Sequence, residues 1–65
     1  MMGYNQDIIL EFIRGHPGTL ADEIAKHTDI NRAGLGRPLR SLLKYRLIRY
    51  EVIDFHGTRR YWAIP

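Results

Sequence analysis

Sixty-five residues with no cysteine, 45% of them hydrophobic, make one small domain over residues 1–65, and packing alone must hold its thin core. So little chain can hardly enclose a substrate, which disfavours enzymes. No apolar run approaches the roughly 20 residues that cross a membrane, and the start has no secretory-signal pattern. The net charge of +3 is unevenly divided: residues 1–30 carry two bases against five acids, and residues 31–65 carry eight bases against two acids.

Asn5 is placed to cap a first helix, with Asp7 in its first turn. Ile8, Ile9, Phe12 and Ile13 recur at helical period, with Leu10 beside them. Gly15 stops this helix, and His16-Pro17-Gly18 makes a turn. Thr19 is the expected cap of a second helix, with Asp22 three residues on in a near capping box. Leu20, Ile24 and Ala25 give that helix an apolar face, and it ends near Lys26-His27. Thr28-Asp29-Ile30 is the next turn, and Asn31 caps a third helix over about 31–46.

After Arg46 the period changes to two. Ile48-Arg49-Tyr50-Glu51-Val52 alternates as a half-buried strand does, which puts Tyr50 in phase with the core. Asp54-Phe55-His56-Gly57-Thr58 is a loop. Arg60-Tyr61-Trp62-Ala63-Ile64 is a second strand with Trp62 and Ile64 on one face, and Trp62 is assigned to the core. Two strands joined by a loop containing Gly make a hairpin.

Helices two and three are separated by about three or four residues, the spacing of a helix-turn-helix. At about 100° per residue from Leu35, Leu39, Leu42 and Leu43 fall at roughly 40°, −20° and 80°. They form one buried seam. Ala33, Arg37, Arg40, Ser41 and Lys44 fall at roughly 160°, 200°, 140°, 240° and 180°, opposite the seam. A solvated helix face usually mixes signs, yet residues 32–49 contain no acid. Eight of the ten bases are Arg, which suits bidentate contact with phosphate and guanine. This face is a candidate polyanion contact.

Pro38 falls inside the third helix, where it removes a hydrogen bond and crowds the carbonyl of Gly34. Either the helix is kinked but continuous, or its regular part starts near Arg37 with Pro38 in the first position. Ile30 and Leu35 both fit the buried seam, which favours the kinked helix. Gly34 and Gly36 permit either close backbone approach to a polyanionic partner or tight packing against helix two.

The order of helix, helix, helix, hairpin resembles the winged helix-turn-helix superfamily over nearly the whole chain. Pro17-Gly18-Thr19-Leu20-Ala21-Asp22-Glu23-Ile24-Ala25 resembles the start of the family's second helix. The run from Ile30-Asn31-Arg32 through Leu35, Leu39 and Leu42 to Leu47-Ile48 resembles its recognition helix and the approach to the wing. Trp62-Ala63-Ile64 resembles the last wing strand. Arg46 stands where the family commonly has Gly. The ending Trp62-Ala63-Ile64 and a start with Tyr4 ahead of Ile9-Leu10 also resemble the Z-DNA-binding winged helix, but of that family's reading residues only Trp62 matches, because the positions of its Asn and Tyr hold Gly36 and Arg40.

The resemblance implies an α+β fold: a three-helix helix-turn-helix core followed by a two-stranded β-hairpin wing. It implies a small transcriptional regulator, cytoplasmic and nucleoid-associated, that binds double-stranded DNA sequence-specifically. Helix three would enter the major groove and the wing would lie on the backbone. Asn31, Arg37, Arg40 and Ser41 are the expected base-edge contacts. Arg32, Lys44, Arg59 and Arg60 are the expected phosphate contacts, with His56 a weaker one at the wing tip. A homodimer on two half-sites fits so small a module. No cofactor or small-molecule ligand is suggested, and His16, His27 and His56 are too far apart in sequence to imply a metal. The alternative is a winged-helix protein–protein module, or a subunit of a larger nucleic-acid complex. Its basic half would face an acidic protein, and an apolar patch would lie near Tyr4 and Phe55.

Overall fold

The computed structural model describes residues 4–65, with Tyr4 described through its backbone alone. Helix α1 spans Tyr4–Gly15, so Asn5 lies inside the first turn and does not cap it. Ile9, Leu10 and Ile13 are buried, while Phe12 packs at the core's edge. The chain leaves α1 through a turn in which Gly18 adopts φ 81°, the left-handed region that glycine enters freely.

Thr19 does not cap the second helix. Thr19–Leu20 form a short strand, β1, with Thr19 opposite Tyr61. Leu20 takes the capping position of α2 (Ala21–Thr28), and Glu23 Oε1 accepts from the Leu20 backbone N–H at 3.1 Å. Glu23, not Asp22, is therefore the third-position acid: recruitment of Thr19 into the sheet shifts the cap by one residue. α2 runs to Thr28, past the expected end, and Asp29 terminates it at φ 58°.

Helix three is unbroken in path but changes type. Asn31 Oδ1 accepts from Ala33 N–H at 2.9 Å and opens a 3₁₀ turn, Arg32–Leu35. This turn runs directly into α3, Gly36–Lys44. Pro38 is thus the third residue of the α-helical part, where no intrahelical donor is required. The tighter 3₁₀ turn accommodates Pro38 where a kinked α-helix over 31–46 was expected. The helix ends at Tyr45, and the next residue is Arg46 at φ 58°. Arg46 N–H donates to Leu43 O at 3.1 Å and Leu47 N–H to Leu42 O at 3.0 Å. This is the Schellman closure, with Arg where Gly is usual.

β2 (Ile48–Val52) and β3 (Arg59–Ala63) form the antiparallel hairpin, and β3 also pairs with β1, giving the order β1-β3-β2. Tyr50 faces Tyr61 across the strands, and Arg49 faces Trp62. Opposed residues share a face, so Ile48, Tyr50 and Val52 lie with Tyr61 and Ala63. Only the end of this face near the helices is covered. Ile48 and Tyr61 are buried, whereas Tyr50 and Val52 remain 39% and 56% exposed. The alternation correctly gave the phase of Tyr50 but not its burial. Trp62 is on the opposite face and is not a core residue. It lies against Gly18, and the Arg49 guanidinium stacks on its ring at 4.6 Å. Ile64 is also exposed.

The core joins Ile9, Leu10 and Ile13 of α1 to Ala21 and Ile24 of α2. Leu35, Leu39 and Leu42 close it from helix three, and Ile48 and Tyr61 from the sheet. Full burial of each large aliphatic side chain contributes about 1.5–3 kcal/mol. Among the described residues no buried side-chain nitrogen or oxygen lacks a partner.

Candidate nucleic-acid interface

The leucine seam fixes which side of α3 looks outward. Leu39 and Leu42 are buried, so Arg37, Arg40 and Lys44 project to solvent and Ser41 is half-buried. Among the described residues none of these four side chains makes a hydrogen bond or ion pair, and Lys44 Nζ lies 5.9 Å from the Tyr45 ring. The three charges therefore have no ion-pair partner among the described residues.

A cleft of about 580 Å³ separates α3 from the hairpin. Leu35, Leu39, Leu43 and Tyr61 line its floor, with Arg32 and Arg40 on the helical side and His56 and Arg59 on the wing side. Four of the nine expected contact residues therefore converge on one opening. Asp22, which sequence reasoning did not place here, also lines it and binds Arg32 Nε through Oδ1 at 2.7 Å. Both side chains are well exposed, and such a pair contributes about 0–1 kcal/mol. Gly36 lies at the rim, exposed, with nothing within 4 Å of where a Cβ would stand. Gly34 approaches Ile30 and does not pack against α2.

The two wing arginines are separated. Arg59 lines the cleft with its guanidinium 4.1 Å from the Tyr50 ring. Arg60, its neighbour along the strand, points to the other face. There its Nη1 donates to Gly18 O at 2.8 Å, tying the α1–β1 turn to the wing. Asn31 is committed to its capping bond through Oδ1, which leaves its NH₂ outward.

Asp54 organises the wing tip. Its Oδ1 accepts from His56 N–H at 2.9 Å and Thr58 N–H at 3.1 Å. The Thr58 hydroxyl and N–H, then the N–H groups of His56 and Gly57, hold its carboxyl below the ordinary value of 3.8. Ile53 N–H donates to Thr58 O at 2.9 Å and closes the loop.

His16 and His27, distant in sequence, approach to 6.3 Å between ring centroids, with Phe12 stacked on both. Among the described residues no third ligand-type side chain joins them. Phe55 is 94% exposed. Tyr4, the other half of the expected apolar patch, has its side chain outside the described residues. No helix among the described residues is long and apolar enough to cross a membrane.

Comparison with solved structures identifies the architecture. A MarR family transcription regulator superposes with a TM-score of 0.84 at 27% identity, over 95% of this chain and 42% of that one. A MarR family transcriptional regulator from Silicibacter pomeroyi gives 0.86 at 20% identity, over 98% and 43%. MepR, a transcription regulator of the Staphylococcus aureus multidrug efflux pump MepA, gives 0.82 at 20% identity, over 97% and 47%. This chain spans less than half the length of each of these proteins. No family model and no curated protein matches the sequence. The fold is a winged helix-turn-helix, as carried by these regulators.

Proposed function

We propose that this chain is a double-stranded-DNA-binding module acting in transcriptional regulation, with α3 in the major groove. The observation that carries the reading is the acid-free row of Arg37, Arg40 and Lys44, without ion-pair partners among the described residues and held outward by the leucine seam. Structural likeness to MarR-family transcription regulators supports the same reading. Arg37, Arg40, Ser41 and the Asn31 amide are the proposed base-edge contacts.

The cleft suits the phosphodiester strand that divides the two grooves. Arg32 on one side and His56 and Arg59 on the other would flank that strand, with Arg40 beside them reaching the base edges. Lys44 contacts phosphate further along α3. Arg60 acts in this reading mainly by fixing the wing against Gly18. A single module covers little DNA, so two copies on half-sites about 34 Å apart complete the proposal.

Titration of random duplex DNA across salt concentrations tests it. Micromolar binding with a log–log salt slope of about −4 to −5 is expected. Absence of binding at low salt would reject the reading in favour of a protein-docking module, for which the bare Val52, Ile53 and Phe55 would be the anchor.

A further inference from the structure

Phe55 sits in the loop that joins the hairpin strands and is 94% exposed, the barest large apolar residue among those described. It contributes nothing to the core, and it is absent from the lining of the cleft. Its support is nevertheless firm. Asp54 accepts two backbone N–H groups of the loop, and Ile53 closes it on Thr58. A loop so braced presents an aromatic ring at little further entropic cost.

The surroundings select the occupant. The His56 ring lies 4.5 Å from Phe55 between centroids, and Arg59 follows at the start of β3. The one acid of the loop, Asp54, is exposed, but its Oδ1 is engaged by the backbone N–H groups of His56 and Thr58. The ring is therefore an apolar point beside an imidazole and one residue from a carboxylate already bonded to backbone N–H groups, on a hairpin whose next strand opens with Arg59-Arg60, a setting that tolerates a polyanion with an apolar interior. A base-pair stack has that character. The cleft adds the geometry: it parts α3 from the hairpin, so if α3 lay in the major groove with a phosphodiester strand in the cleft, the wing tip would stand over the minor groove.

We propose that Phe55 is a minor-groove wedge that enters between adjacent base pairs, partly unstacks them and kinks the duplex. The inference rests on the DNA-binding reading above. It assigns the wing a preference for flexible pyrimidine–purine steps, which unstack most readily.

The test uses the full chain and duplexes selected for binding from a random pool, with 2-aminopurine substituted at each adenine in turn. Wild-type protein and Phe55→Leu should raise the fluorescence at one step. Phe55→Ala should not, and should bind about tenfold more weakly with an unchanged salt slope, because no phosphate contact is lost. Thermal melts of the variants should match, since the side chain is bare. Equal affinity and equal fluorescence for wild type and Phe55→Ala would overturn the wedge and leave DNA binding intact. Failure of both to bind DNA would remove the DNA-binding reading and the wedge with it. Self-association of the wild type that Phe55→Ala abolishes, with DNA binding unchanged, would make Phe55 a protein interface and overturn the proposal.

Discussion

Asp22 holds Arg32 at 2.7 Å across the mouth of the cleft, joining the first turn of α2 to the 3₁₀ turn that opens helix three. On the proposed DNA-binding reading, the pair places a carboxylate where a phosphate would approach. Asp22→Asn should therefore tighten duplex binding by about threefold at low salt, an advantage that fades as salt rises. The melting temperature should barely move, because the pair is exposed. Weaker binding of this variant would show that the ion pair positions Arg32 and does not compete with DNA for it.

The outward face of α3 separates binding from stability. Replacing Arg37 and Arg40 together by Ala should reduce affinity for selected duplexes at least about tenfold and narrow their advantage over random duplexes. The melt should stay nearly unchanged. Leu42→Ala, on the buried seam, should instead cost about 2–5 kcal/mol of stability. A large loss of melting temperature in the double Arg variant would assign those side chains to structure.

Gly36 and Arg46 sit near the two ends of α3 with opposite backbone demands. Gly36 is ordinary right-handed helix, φ −56°, so Gly36→Ala should raise stability by about 0.5–1 kcal/mol. The added methyl stands at the cleft rim, and DNA affinity should fall if the backbone approaches there. Arg46→Gly should stabilise by about 1 kcal/mol, raising the melting temperature by roughly 4–8 °C, because the left-handed conformation strains any residue but glycine. Paired melts and duplex titrations of the two variants check both expectations.

Acid should loosen the wing tip first. The Asp54 carboxyl is held below its ordinary value of 3.8 by Thr58, His56 and Gly57, so the folded loop favours the charged form. That contribution is fully present above the ordinary value and is lost as pH falls through the lower folded value. Amide resonances of His56 and Thr58 should titrate with a midpoint below 3.8, with core amides unmoved. A midpoint above that value would contradict the bonding of the tip.

Much of this protein is local in origin. The spacing of Leu35, Leu39 and Leu42 settles which face of helix three is buried, and hence that Arg37, Arg40 and Lys44 look outward. The period-two run from Ile48 settles that Tyr50 shares a face with it. These properties follow from side-chain periodicity along a single element. Three others depend on partners distant in the chain. Thr19 leaves the helix cap because β3 offers it a strand to pair with. Tyr50 is bare and Tyr61 buried because the helices cover only one end of the sheet. Arg59 and Arg60 part company because the pleat aims one at the cleft and the other at Gly18, 42 residues earlier. Covering, pairing and facing are relations between elements, and only their packing in three dimensions decides them.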